Sequence, residues 1–206
     1  VIEFLRQVEN GVISIASQLR LDAAASHGKR TVAEMKRTNR DKDWPFVTAL
    51  GARMIQAGDE RGWLHIFDDN LLRTFGDAVK KPAELFKRRP VLQLAAANDP
   101  RLRAALRAEV EYWHELDRVR LTIYEKAVRP SLVAVRKARL PLGAGLVEQH
   151  NLRVQCAENH QPMNPLLDYG ITHMVLEARE ALAQIIHPAT MAWLPDVREH
   201  FTLLEP

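Results

Sequence analysis

Three observations predict an all-α or nearly all-α fold. Leu102, Leu106, Val110, Trp113, Leu116, Val119 and Ile123 recur every three or four residues, the period of one helix face. Two acid and proline pairs, Asp43 with Pro45 and Asp99 with Pro100, match the N-cap and first-turn chemistry of helix starts. Strand signals are confined to VISI at Val12 to Ile15, after Gly11, and LRVQC at Leu152 to Cys156, and both also fit helices. The predicted architecture is a helical bundle built around a long helix from Asp99 to Val128, with a short strand near Val12 as the one exception.

From the N-terminus, Ile2, Leu5, Val8, Val12, Ile15, Leu19 and Leu21 have helical gaps. Ser26, His27 and Gly28 read as a break before a second helix, Lys29 to Thr38. Asn39 to Lys42 form a polar turn. Asp43 then caps a helix carrying Phe46, Val47, Leu50, Met54 and Ile55, which ends at Gly58. Trp63, Leu64, Ile66 and Phe67 make an apolar knot. Asp68 or Asp69 caps a helix through Leu71, Leu72 and Phe75, and Pro82 and Pro90 bracket another with Leu85 and Phe86.

The long helix would span about 40 Å at 1.5 Å per residue and so form the backbone of the bundle. Pro130 to Arg139 reads as a separate helix. Pro141, Gly143 and Gly145 mark a loop and the best boundary, giving a helical domain over 1–140 and a C-terminal helical subdomain over 141–206 packed on it, with one domain over 1–206 as the alternative. Leu146 to Ala157 and Asp168 to Ile186 are further helices, the second stopped by Pro188, and the tail from Trp193 docks on the bundle.

The 206 residues are 47% hydrophobic and 27% charged, an ordinary globular mix able to bury a core without staples. Cys156 is the only cysteine, which excludes an internal disulfide and suits a cytoplasmic setting. The longest apolar run, VLQLAAA at Val91 to Ala97, falls far short of the roughly 20 residues that cross a bilayer, so no membrane partner is expected. A net charge of +3 is well below that of a dedicated polyanion binder.

Several constellations carry chemistry weakly. GKRT at Gly28 to Thr31 matches the end of a phosphate-binding loop, but Ala23 stands where its first glycine is needed. Glu111 and His114, with Asp117 one turn on, share a helix face, yet a di-iron bundle needs two such motifs and two more carboxylates. His150, Cys156 and His160 lack the paired spacing of zinc ligands. No metal is therefore assigned. Basic residues gather at Lys80, Lys81, Lys87, Arg88 and Arg89, at Arg101, Arg103 and Arg107, and at Arg136, Lys137 and Arg139. Facing one side they would bind a nucleic-acid backbone; facing water they merely solvate the chain.

The stretch TVAEMKRTNRDKDWPFVTALG, Thr31 to Gly51, concentrates the remaining chemistry. Met35-Lys36, Arg40 and Lys42-Asp43 leading into a helix resemble a segment of the DNA polymerase β-like nucleotidyltransferase superfamily, in its minimal and AbiE-type toxin branches. The resemblance implies Lys36 as a nucleotide-phosphate contact, Asp43 as an orienting acid, and Arg40 and Lys42 in support. VISIASQLR is similar to the last strand and turn of that catalytic core. The match covers the first quarter of the chain. No Gly-Ser pair occurs in the sequence, and Asp41-Lys42-Asp43 lacks a preceding strand to present it to Mg²⁺. On this resemblance the chain is the helical C-terminal portion of such a protein, and Mg²⁺ with a nucleoside triphosphate is expected only where a catalytic core precedes Val1. The bland reading of the same residues is a helix cap with a solvated approach. The alternative function is a non-enzymatic helical interaction or regulatory module, with a protein, a second copy or nucleic acid as partner.

Overall fold

The computed structural model describes residues 23–38, 40–78, 83–138 and 143–202, and every regular element among them is helical. The strand expected near Val12 lies outside the described residues, as do Lys80, Lys81 and the loop positions 139–142.

Helix α1, Ala23–Met35, runs through Ser26, His27 and Gly28 without the expected break. Three alanines lead into it, and alanine is the strongest helix former. Gly28 is exposed, and a Cβ there would meet nothing within 4 Å. Its cost is therefore conformational entropy alone, about 0.5–1 kcal/mol, too little to stop the helix.

A single 3₁₀ turn, Asp41–Asp43, leads into α2, Trp44–Gln56, with Pro45 in the first turn. Trp44, Val47, Gly51 and Met54 form its buried face. The end is a Schellman motif at the expected glycine: Gly58 has φ 82°, its N–H donates to Ile55 O at 2.9 Å, and Asp59 N–H donates to Met54 O at 2.9 Å. Gly51 permits close packing further back. A Cβ there would lie 2.8 Å from Gly62 O, and one on Gly62 would lie 2.9 Å from Ile55 N. The 3₁₀ stretch Glu60–His65 can therefore lie directly on the α2 backbone.

Asp68 Oδ1 accepts from Leu71 N–H at 2.7 Å and opens α3, Asp69–Ala78. Two short helices follow, α4, Ala83–Arg88, and α5, Val91–Ala96. Trp63, Ile66, Leu72, Leu85, Leu92 and Leu102 belong to one buried cluster, with Trp193 packed against its edge.

The long helix differs from expectation at both ends. Asp99 and Pro100 precede it, the Asp99 carboxylate accepting from Arg101 N–H at 2.8 Å, and α6 runs from Leu102 to Lys137. Its 36 residues make it about 54 Å long. Pro130 lies inside it rather than separating two helices. Proline lacks an N–H and crowds the preceding turn, but Pro130 is exposed, so the carbonyl it leaves unmatched can turn to water. On the buried side Ser131 Oγ donates to Val128 O at 2.8 Å and accepts from Gln161 Nε2 at 2.7 Å, holding the helix across the proline.

Contacts divide the described chain into two compact units, one reaching Arg107 and including Trp193–Pro195, the other comprising Ala108–Ala192 and the residues from Asp196. In the second unit α6 is followed by α7, Leu146–His160, which is helical throughout, LRVQC included. The single helix expected from Asp168 to Ile186 is two, α8, Pro165–Tyr169, and α9, Ile171–Ala183. Gly170, at φ 91°, divides them in a conformation that an L side chain rarely adopts. Asn164 Oδ1 caps α8 through Leu167 N–H at 3.3 Å. A short α10, Pro188–Met191, and α11, Arg198–Thr202, complete the chain, with α11 packed on α9. Leu194, Val197 and Phe201 of the tail are buried.

No helix among the described residues is long and apolar enough to cross a membrane.

Candidate functional site

At the junction of α1 and α2 the Asp43 side chain does not cap its helix. The residue has helical φ and ψ, and its carboxylate makes no hydrogen bond to the helix N–H groups. It turns back instead. Arg40 Nη2 lies 2.6 Å from Oδ2, Lys36 Nζ lies 3.9 Å from Oδ1, and Thr38 Oγ1 donates to Oδ2 at 3.3 Å. The carboxylate is only 9% exposed, whereas Arg40 is 50% exposed and Lys36 37%. Three of the four residues singled out by the superfamily resemblance therefore meet. Lys42 is exposed and joins no ion pair among the described residues. Both cations that meet spend their charge on Asp43, so the cluster ties the C-terminal end of α1 to the start of α2.

Beneath it lies a second polar group. Trp63 and Leu64 lie in the last turn of the 3₁₀ stretch, whose final carbonyls face no further turn, and the chain leaves it in extended backbone at Ile66. Arg89 Nη1 donates to Trp63 O at 2.8 Å, Arg37 Nη2 donates to Leu64 O at 2.8 Å, and Phe67 N–H donates to Thr48 Oγ1 at 3.0 Å. The Phe67 ring has the Arg89 guanidinium 4.4 Å from its centroid, Arg37 at 5.8 Å and Trp44 at 4.6 Å. Arg37 Nη2 also lies 2.8 Å from His65 Nδ1. A guanidinium only donates, so His65 Nδ1 accepts and its ring proton sits on Nε2. Arg37, His65, Phe67 and Arg89 escaped the sequence reading because they meet across 22 to 52 positions of chain; no local spacing announces such a group.

The described members of the basic clusters have differing surroundings. Arg89 is 2% exposed and serves the interior. Lys87 is exposed and pairs with Glu84 at 3.3 Å, and Arg88 is exposed. Arg101 pairs with Asp99 at 2.7 Å and Arg103 with Asp69 at 3.1 Å. Exposed Arg107, Arg136 and Lys137 remain.

Glu111 Oε2 lies 3.6 Å from His114 Nδ1, while Asp117 pairs with Arg120. Cys156 is buried; His150 and His160 are exposed. Among the described residues no three His, Cys, Asp or Glu side chains gather as a metal site. Burial pushes the Tyr112 phenol above its ordinary value against the opposing hydrogen bond from Arg179.

A different surface remains. Leu121, Tyr124, Leu132, Val133, Leu146, Val147, Val154, Met163, Leu167, Leu176 and Ile185 are exposed, and all lie in the second unit. Beyond Ile123 the only buried residue of α6 is Ser131, and α7 buries only Cys156. This surface had a sequence signal. After Leu121, α6 is apolar on two faces, Ile123, Ala127 and Ala134 on one and Leu121, Tyr124, Val128, Leu132 and Val135 on another, and a helix needs only one apolar stripe for its own core.

No protein-family model, curated protein or solved structure matches this chain.

Proposed function

We propose that this chain is a helical interaction module, non-enzymatic in its described part, which binds a partner through the second unit. The concentration of exposed apolar side chains on α6 and α7 carries the reading. Contiguous exposed apolar surface on a soluble chain marks interaction sites, and helices draw most of their stability from burial of an apolar face. α7 buries one residue of its 15.

The test separates a role in the fold from a role in binding. A variant with Leu121→Gln, Tyr124→Gln, Leu132→Gln and Val133→Gln is compared with the natural sequence in thermal unfolding and in binding of the apolar dye bis-ANS. The reading expects Tm to stay within about 2 °C and dye binding to fall several-fold. A fall in Tm of about 10 °C or more would assign these residues to the core and remove the reading.

The meeting of Lys36, Arg40 and Asp43 supports a second reading, the helical portion of a nucleotidyltransferase-like protein. Here Lys36 and Arg40 would exchange Asp43 for a nucleotide phosphate. A fluorescent ATP analogue with Mg²⁺ should then bind the chain, and Lys36→Ala should weaken binding about tenfold, the effect of one charged contact worth about 1.4 kcal/mol. Absent or unaltered binding would leave the cluster as a structural tie.

A further inference from the structure

We infer that the C-terminal half of α6 is the docking face for an acidic amphipathic helix, an inference that rests on the interaction-module reading and names its partner. Leu121, Tyr124, Val128, Leu132 and Val135 follow one another at three- and four-residue steps along α6, so they share a stripe. Tyr124 is 39% exposed and Leu132 50%. From Leu121 to Val135 the stripe runs about 21 Å, four turns of helix, and a helix of like length fills such a stripe at i, i+3, i+4 and i+7 positions.

The charge beside the stripe selects the partner. Residues 121–137 contain Lys126, Arg129, Arg136 and Lys137 and a single acid, Glu125. Arg129 and Arg136 stand three residues before and four after Leu132, its neighbours on the helix surface. Val133 has Arg129, Arg136 and Lys137 at the same spacings. All four cations are exposed, and none joins an ion pair among the described residues. Upstream cations differ: Arg118 pairs with Glu115 at 2.7 Å, and Arg120 pairs with Asp117. Of these charges Arg129 and Arg136 border the stripe along one edge, with Glu125 on the same edge, whereas Lys126 and Lys137 fall on the opposite side of the helix.

That edge disfavours the other occupants. A second copy packed antiparallel about Leu132 would bring Arg129 of one copy against Arg136 of the other. A nucleic-acid backbone would use the cations and leave Tyr124 and Leu132 without apolar partners. A helix with leucines along one face and glutamates beside them satisfies both features, and complementary charge gives such docking its specificity and speed.

The experiment uses the full chain and three fluorescein-labelled amphipathic peptides, each about 18 residues or five turns long. They share one leucine stripe and differ only in flanking residues: all Glu, all Gln or all Lys. Fluorescence anisotropy should give the Glu peptide an affinity at least about tenfold above the Gln peptide, with the Lys peptide weakest. Leu132→Glu should abolish binding. Arg129→Glu with Arg136→Glu, both exposed and so harmless to folding, should reverse the order and favour the Lys peptide.

Equal binding of all three peptides, lost in Leu132→Glu, would overturn the acidic partner and keep the interaction module. Light scattering that shows a dimer broken by Leu132→Glu would assign the face to a second copy. Co-sedimentation with phosphatidylserine-rich vesicles, or a mobility shift with duplex DNA, in place of peptide binding would assign it to a membrane or nucleic acid; each result overturns the inference. Failure of every peptide, with a monomeric chain that binds neither vesicle nor DNA, would overturn inference and module together.

Discussion

The unit that ends at Arg107 and the unit that begins at Ala108 use their apolar residues differently. Among the described residues of the first, Met35 and Phe46 are the only large apolar side chains left exposed, against eleven in the second. The first unit closes on itself. Gly51 and Gly62 bring two backbones into contact, Trp63 and Ile66 are fully buried, and Arg89 is turned inward to satisfy a carbonyl. The second has an interior of its own, with Tyr112, Leu116, Met174 and Leu182 buried, yet α6 and α7 carry apolar residues beyond what it uses. Large apolar side chains left exposed among the described residues thus fall almost wholly in the second unit.

Substitutions can break or sharpen this contrast. The largest effect is expected from Gly62→Ala, where the new methyl meets Ile55 N at 2.9 Å and neither backbone can yield. A loss of about 3 kcal/mol in denaturant unfolding is expected. Arg89→Met should cost about 2 kcal/mol, because Trp63 O loses a charged donor in a buried place. A cost below about 0.5 kcal/mol in either would show that the first unit is less closed than its packing implies.

Gly28→Ala gives an opposite sign from the same kind of change. Gly28 lies in a helix with open space around a Cβ, so alanine should raise stability by about 0.5–1 kcal/mol. Leu132→Gln should stay within about 0.5 kcal/mol of the natural chain, since the residue is half exposed; a larger loss would place α6 in a core.

The smallest expected effect is on acid stability. The Asp99 carboxyl is held at about 2, below the usual 3.8, first by its side-chain hydrogen bond from Arg101 and then by the Arg101 N–H. A depressed carboxyl pKa stabilises the fold above the ordinary value and loses that contribution as pH falls through the depressed one. Asp99→Asn should therefore flatten the pH dependence of Tm between about 4 and 2 and leave its slope near neutrality unchanged. An unaltered acid profile would remove Asp99 from the start of α6.

Much of the helical pattern was legible because it rests on local chemistry. Gly58 ends α2 because only a residue tolerant of positive φ closes that turn, and the spacing from Leu102 to Ile123 marks the buried face of α6 before its neighbours are known. Local rules also erred in definable ways. Gly28 and Pro130 read as breaks, but each weakens a helix by a finite amount that neighbouring residues exceed. Gly170, inside an otherwise periodic stretch, does divide a helix, because its backbone enters a conformation that the flanking pattern cannot foretell.

The candidate site was less legible. Lys36, Arg40 and Asp43 lie within eight residues of one another, so their meeting was foreseeable; that Asp43 would hold the two cations and leave the helix end uncapped was not. Arg89 illustrates the limit most clearly. In sequence it is the last of three adjacent basic residues, and its inward turn depends on a carbonyl 26 positions earlier.

By itself, then, the sequence determined that the chain is helical, where α2 begins and ends, where α3 and α7 begin, and which face of α6 is buried first, since propensity, capping and periodicity act over a few residues. Tertiary structure decided which charges are spent internally and which apolar residues are left over. Those outcomes depend on distances between segments remote in sequence, where burial and desolvation, and no local pattern, set the energy of each side chain.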